Sequence, residues 1–180
     1  MLNKNKLLHL LLQTILKINI MNWISILLAA IVPMIIGMIY YSEKGFGKVW
    51  MFEAKLNKEE LQKGNMLPLL AFTFLFSFFI AMMLQFIVIH QTGAIAMVGG
   101  ATKISEAKPS FTAFMADYGT AFRSFKHGAL HGFISSVFFA LPIIAINARF
   151  ERKSWKYVFI HAGYWSLTLT IMGAIICGWI

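Results

Sequence analysis

Residues 67–89 read LPLLAFTFLFSFFIAMMLQFIVI, a stretch without one charged side chain. A helix needs about 20 consecutive apolar residues to cross the hydrocarbon core of a bilayer. Inside lipid every backbone N–H and C=O group must be satisfied, which leaves helices and closed barrels as the spanning structures. Barrel strands alternate apolar and polar side chains, and this stretch does not alternate. The stretch therefore predicts a transmembrane helix.

Three further stretches share this character. The sequence thus predicts an all-α, polytopic membrane protein with a four-transmembrane-helix bundle and short amphipathic helices in the N-terminal segment and the loops. The predicted spans are residues 22–41, 67–89, 128–148 and 157–180. Pro33 and Pro142 lie inside the first and third spans, where each removes a backbone donor and is expected to kink its helix. Aromatic residues typical of an interfacial belt lie at the span ends, namely Trp23, Tyr40, Tyr41, Tyr157 and Trp179.

Composition agrees with a membrane protein. Of 180 residues, 59% are hydrophobic and 13% are charged, whereas soluble domains have about 45–50% and about 25%. In a soluble protein the net charge of +9 would raise the question of nucleic acid, but here Lys and Arg lie mainly in loops and at span ends. Since no basic recognition helix or aromatic platform is present, we expect a lipid bilayer and no nucleic acid among the partners. The single cysteine, Cys177, excludes an internal disulfide and is expected to be buried.

The basic residues also predict the orientation of the spans. The first and third loops carry nine Lys and Arg, whereas the N-terminal segment and the second loop carry seven. Without the first twenty residues, the counts become nine and four. We therefore expect the odd-numbered loops in the cytoplasm and both termini outside.

Residues 1–20 form a separate extension ahead of the four-helix transmembrane domain of residues 21–180. Its polar side chains recur in steps of three and four, at Asn3, Lys6, His9, Gln13 and Lys17. They would form one stripe of an amphipathic helix lying in the membrane interface. The alternative is a start codon assigned too early, with Met21 as the natural start.

The loops carry helix signals of their own. Asn57 and Glu60 have the spacing of a capping box, and Gly64 suits the end of the helix that they begin. In the second loop, Pro109 precedes a predicted short helix that runs from Ser110 towards Phe125.

Several strings carry a family resemblance. They are MNWI from Met21, PMIIGMIYY from Pro33, FGKVWM from Phe46, INARFERK from Ile146 and GYW from Gly163. From about residue 21 to residue 179, the chain resembles the bacterial membrane family called domain of unknown function 1761. The resemblance implies a multi-pass protein of a bacterial cytoplasmic (inner) membrane. It implies no activity, because none is assigned to the family.

The placement of histidines is the sharpest candidate for chemistry. His127 and His131 are four residues apart and share one helix face at the start of the third span. His90 ends the second span on the same side of the membrane, and Asp117 lies on that side as well. These four residues predict a site for zinc or iron, and alternatively His90 and one of the pair would be axial ligands of a haem. Histidines at an interface also commonly do no more than hydrogen-bond a neighbouring helix.

Two further expectations concern helix packing. Gly128 and Gly132 flank the histidine pair and favour a close approach of a neighbouring helix. His161 begins the fourth span on the opposite side, where we expect an interhelical hydrogen bond.

Absent features narrow the function. No Asp or Glu lies within a predicted span, so coupling to protons or sodium lacks its usual carboxylate. No recognised catalytic motif occurs, and we expect neither an enzyme nor a cofactor. The sequence favours a structural or accessory membrane protein, as a homo-oligomer or as a subunit of a membrane complex. The alternatives are a small oligomeric transporter or channel, and a metal- or haem-binding membrane protein that uses His90, His127 and His131.

Overall fold

The computed structural model describes residues 22–179, and every regular element within them is helical. In chain order the helices are α1 (Trp23–Tyr40), α2 (Gly47–Ala54), α3 (Lys58–Gln62), α4 (Met66–Val88), α5 (Gln91–Met97), α6 (Pro109–Tyr118), α7 (Phe125–Phe150) and α8 (Trp155–Gly178), with a 3-10 helix at Ala101–Glu106 between α5 and α6. The four long helices, α1, α4, α7 and α8, are apolar enough to cross a membrane. The predicted all-α, four-span architecture is confirmed. The helix predicted in residues 1–20 lies outside the described residues.

Each long helix begins at a residue whose side chain accepts a hydrogen bond from a free backbone N–H group. These residues are Asn22, Asn65, Ser124 and Ser154. In α3 the predicted capping box is complete, because Asn57 accepts from Glu60 N at 2.8 Å and Glu60 Oε2 accepts from Asn57 N at 3.3 Å. α6 ends at Tyr118, earlier than predicted, because the chain turns there before Ser124 begins α7.

α7 departs from regular α-helical geometry at a π-turn over Ser136–Ala140. The N–H of Leu141 donates to the carbonyl oxygen of Ser136, one residue further back than in an α-helix. Pro142 follows directly and has no N–H to donate. The wider turn therefore lies where the regular hydrogen-bond ladder is interrupted. At Pro33, by contrast, α1 continues through the proline, and the Pro33 carbonyl accepts a hydrogen bond from the Tyr164 hydroxyl at 2.9 Å.

α8 lies at the centre of the bundle and packs against α1, α4 and α7. Ile26 of α1 and Met172 and Ile176 of α8 are fully buried between them. Cys177 is buried too, as predicted, and its sulfur lies 3.2 Å from Val88 O. Many large apolar side chains on the outer helix faces remain exposed, as expected where a helix faces lipid.

The two ends of the bundle differ. At one end, α2 is attached to the α7–α8 connection, since Ser154 Oγ donates to Glu53 Oε2 at 2.5 Å and Lys153 Nζ donates to Ala54 O at 3.1 Å. At the other end, Asn22 Nδ2 lies 3.4 Å from Trp179 O. We call the latter the terminal end. The connection from α4 to α7, with α5 and α6, lies at this end, and so do the candidate histidines.

Candidate functional site

Two elements bring three histidines together at the terminal end. His90 lies between α4 and α5, directly before Gln91, while His127 lies in the first turn of α7 and His131 one turn later on the same face. The Ser124 side chain accepts a hydrogen bond from His127 N at 3.2 Å, so the cap of α7 also positions the first histidine of the pair.

The three imidazole rings form a compact histidine triad, defined as His90, His127 and His131. Their ring centroids are 4.8, 5.0 and 4.4 Å apart, and one ring nitrogen of each lies within 4.8 Å of the others. The Nε2 atoms of His90 and His127 are 3.4 Å apart. Zinc–nitrogen bonds of about 2.0–2.1 Å at tetrahedral angles set ligand nitrogens about 3.3–3.4 Å apart. One edge of the triad therefore already has the length that a zinc site requires.

The triad is open on one side. His90 is exposed, whereas His127 and His131 are half-buried. Three imidazoles and one water complete a four-coordinate shell, which is the arrangement of zinc sites with an open position. Imidazole ligands suit zinc, copper, iron and nickel. Without a metal, the 3.4 Å contact is that of one imidazole N–H donating to the unprotonated nitrogen of the other ring.

Asp117 does not join the triad. It is exposed on α6, and the group of donor atoms that lie within 4.8 Å of one another consists of the three histidines among residues 22–179. The structure thus brings together three of the four predicted ligand residues and leaves the carboxylate outside.

The arrangement also favours a single ion over a haem. Axial ligands reach a haem iron from opposite faces of the porphyrin. Here the three rings converge on one space, and the His131 ring lies within 5.0 Å of both other rings by centroid distance. With the rings in these positions, a porphyrin between His90 and either histidine of the pair would overlap the third imidazole.

Phe122 supports the triad from the second loop. Its ring centroid lies 6.0 Å from that of His90 and 5.2 Å from that of His127. The backbone of Phe122 has a φ of +62°, a left-handed conformation that is a genuine outlier for a bulky residue. No sequence pattern predicts this conformation for a phenylalanine, so sequence reasoning gave Phe122 no role.

Arg123 attaches the same segment to the end of α8. Its Nε donates to Cys177 O at 2.9 Å, and its Nη2 lies 3.4 Å from Trp179 O. A cation is favourable there, because the last carbonyl groups of a helix carry partial negative charge. Burial lowers the pKa of the Arg123 guanidinium, which nevertheless stays charged. In the sequence Arg123 was only one basic loop residue among several.

Close packing of α7 on α8 places the two α7 histidines. Gly128 and Gly132 both face α8, as predicted, and a Cβ added to Gly132 would lie 2.0 Å from Leu169 O. Each of these glycines follows a triad histidine by one position. The face of α7 that carries the histidines therefore lies beside the face that contacts α8.

His161 lies at the opposite end of the bundle in a separate aromatic cluster. Its Nδ1 is 2.8 Å from the hydroxyl oxygen of Tyr41, which confirms the predicted interhelical hydrogen bond. The neighbouring Tyr40 hydroxyl donates to Ile160 O at 3.0 Å. Tyr40 and Tyr41, which the sequence assigned to an interfacial belt, thus also join α1 to α8.

Comparison with known proteins identifies a family without a function. The model of a protein family described as "Protein of unknown function (DUF1761)" matches residues 24–177. No match was found among curated proteins or among solved structures. The family match confirms the resemblance in the sequence strings and adds no activity to it.

Proposed function

The chain belongs to the DUF1761 family of proteins of unknown function, and we propose that it binds one divalent transition-metal ion through His90, His127 and His131 at the terminal end of its bundle. The observation that carries this proposal is the 3.4 Å separation of the His90 and His127 Nε2 atoms in a triad that a third imidazole completes. The ion would take the place of the hydrogen bond between these nitrogens, and all three imidazoles already lie close to the positions that it requires.

The geometry of the three histidines favours metal binding over the structural or accessory role that the sequence favoured. A hydrogen bond between helices needs two imidazoles, and His90 and His127 supply them. The His131 ring makes no hydrogen bond within residues 22–179, so hydrogen bonding does not account for its place in the triad. A shared ion would account for all three rings at once.

The proposal concerns binding and not catalysis. Three histidines with an open fourth position are also the ligand set of many catalytic zinc sites. A hydrolytic site of that kind commonly adds a carboxylate as a general base. Among residues 22–179, no carboxylate oxygen joins the donor group of the triad.

We further propose that the triad faces outward from a bacterial cytoplasmic membrane. Within residues 22–179, four Lys and Arg lie in the loop or the adjoining first turn of α7 at the terminal end, and nine lie in the connections and adjoining helix turns at the other end, and basic connections stay in the cytoplasm. A membrane-impermeant thiol reagent applied to intact cells should label Lys108→Cys and spare Lys58→Cys, both in a Cys177→Ser background. The reverse labelling pattern would invert the orientation without affecting the metal site.

Metal titration of purified protein tests the binding proposal. After chelator treatment, the detergent-solubilised chain should bind one zinc ion, and cobalt(II) should give the visible absorption spectrum of a tetrahedral site. His90→Gln, His127→Ala and His131→Ala should each weaken zinc binding by more than about 100-fold, since loss of a mere supporting residue already costs about 10–100-fold. His161→Gln, at the opposite end, is the matched control and should bind as the wild type does. Equal zinc binding by a triple histidine variant would refute the site.

A further inference from the structure

A polar cleft lies at the end of the bundle opposite the histidine triad, between the last turn of α2 and the α7–α8 connection. Its wall consists of Phe52, Glu53 and Lys55 from the α2 side and of residues 151–154 from the connection, and its volume is about 580 Å³. We call it the basic cleft. A cavity of about 150 Å³ in another protein holds a benzene molecule, so the basic cleft has room for a group as large as a lipid headgroup.

Three cationic side chains line the basic cleft, namely Lys55, Arg152 and Lys153. The Lys153 ammonium is fixed at the wall, because its Nζ donates to Ala54 O at 3.1 Å. Lys55 and Arg152 are exposed, and their side chains make no hydrogen bond or ion pair within residues 22–179. Two of the three cations are therefore available to a ligand.

Of the two carboxylates in the wall, one is already engaged. The Glu53 side chain is only 13% exposed, accepts a hydrogen bond from Ser154 Oγ at 2.5 Å and lies 3.9 Å from Lys156 Nζ. Its charge is thus offset by Lys156. Three cations then stand against the single carboxylate of Glu151, and an excess of positive charge in a cleft attracts an anion.

Exposed aromatic rings surround the basic cleft. Phe52 in its wall is 79% exposed, and the connection is flanked by Phe150, which is 87% exposed, and Trp155, which is 55% exposed. Phe150 ends one spanning helix and Trp155 begins the next, and aromatic side chains at span ends lie at the level of the lipid headgroups. The cleft therefore opens where a headgroup and the upper part of its acyl chains are within reach.

We propose that the basic cleft binds the headgroup of an anionic phospholipid. The lipid phosphate lies between Lys55 and Arg152, beside the fixed ammonium group of Lys153, and the acyl chains pack against Phe52 and Phe150. Basic pockets at the ends of membrane spans suit anionic headgroups. A zwitterionic headgroup would bring an ammonium group of its own against these cations. The cleft is separate from the metal site, which lies at the other end of the bundle.

A comparison of two phospholipids tests the proposal on the full chain. Delipidated protein in detergent is mixed with equal amounts of phosphatidylglycerol and phosphatidylcholine that carry the same acyl chains, and native mass spectrometry measures the lipid bound. One phosphatidylglycerol should bind about tenfold more tightly than phosphatidylcholine, because only its headgroup is anionic. Equal binding of the two lipids would overturn the proposal. Glycerol 3-phosphate, which has the phosphate without acyl chains, should not displace the lipid at equal concentration, and full displacement would overturn the assignment to a lipid.

Two double variants of equal net charge locate the site. Lys55→Gln with Arg152→Gln should bind the two lipids equally, whereas Lys108→Gln with Lys126→Gln, at exposed positions of the terminal end, should keep the preference of the wild type. The same loss of preference in both double variants would show a general charge effect and overturn the site.

Glu151→Gln changes the cleft in the opposite direction. It removes the remaining carboxylate and should raise the preference for phosphatidylglycerol above that of the wild type. A lower preference would place the lipid phosphate outside the basic cleft.

Discussion

Gly128 of α7 and Gly173 of α8 are in direct backbone contact. A Cβ added to Gly128 would lie 2.1 Å from Gly173 O, and a Cβ added to Gly173 would lie 2.3 Å from Gly128 O. Backbone atoms cannot move aside as the end of a side chain can. The short distance between α7 and α8 therefore depends on the absence of side chains at these two positions. The position of His127 and His131 relative to His90 depends on it as well.

Gly128→Ala should consequently separate the two helices. We expect a loss of about 1–3 kcal/mol in the free energy of unfolding, the usual cost of overpacking, together with weaker zinc binding. Thermal unfolding in detergent and zinc titration measure the two effects. Gly93→Ala is the control, because a Cβ there meets nothing within 4 Å. If both variants behaved alike, the close contact would not determine the helix spacing.

Tyr41→Phe should destabilise the bundle without affecting the metal site. The variant removes the hydroxyl that lies 2.8 Å from His161 Nδ1, and a hydrogen bond between membrane helices contributes about 1 kcal/mol. Zinc affinity should stay unchanged, because the triad lies at the other end of the bundle. Tyr118→Phe, at an exposed tyrosine, should change stability by less than about 0.5 kcal/mol. A drop in zinc affinity with Tyr41→Phe would show that the two ends are coupled.

The spans and caps could be predicted because their signals are local. The length of a span can be read from the length of an apolar run such as residues 67–89. The capping box needs only Asn57 and the residue three positions later. The shared helix face of His127 and His131 could also be predicted, since residues four apart on a helix share a face. His90 could be added because antiparallel neighbouring spans place the end of one beside the start of the next.

The rest of the site depends on the path of the second loop, which has no periodic pattern. Arg123 reaches Cys177 O over a sequence separation of 54 residues, and Gln91 reaches Tyr118 O over 27. Such pairings follow from tertiary packing and not from spacing. The same loop path keeps Asp117 on an exposed face of α6, so a carboxylate close to the histidines in sequence is not close to them in space.

Gln85→Met should raise the stability of the protein. The Gln85 side chain of α4 is 1% exposed, and neither its Nε2 nor its Oε1 has a hydrogen-bond partner within residues 22–179. Methionine has a similar length and shape and no unpaired amide, so we expect a gain of about 1 kcal/mol. Gln62→Met, at an exposed position of α3, should change stability by less than about 0.5 kcal/mol. Destabilisation by Gln85→Met would show that the amide is satisfied in the folded protein.

The left-handed backbone at Phe122 can be tested by the order of two truncations. Both Phe122→Ala and Phe122→Gly remove the ring that packs on His90 and His127, so both should weaken zinc binding to the same extent. They differ in backbone strain, because a φ of +62° costs an L-residue about 1–2 kcal/mol and costs glycine little.

We therefore expect Phe122→Gly to be more stable than Phe122→Ala by about 1 kcal/mol in thermal unfolding. This order is the reverse of that at an ordinary helical position. Ala113 lies exposed within α6, and Ala113→Gly should lose about 1 kcal/mol relative to the wild type. If alanine were the more stable residue at position 122 as well, Phe122 would not hold a left-handed conformation. Its ring would then have to reach His90 and His127 from a different backbone conformation.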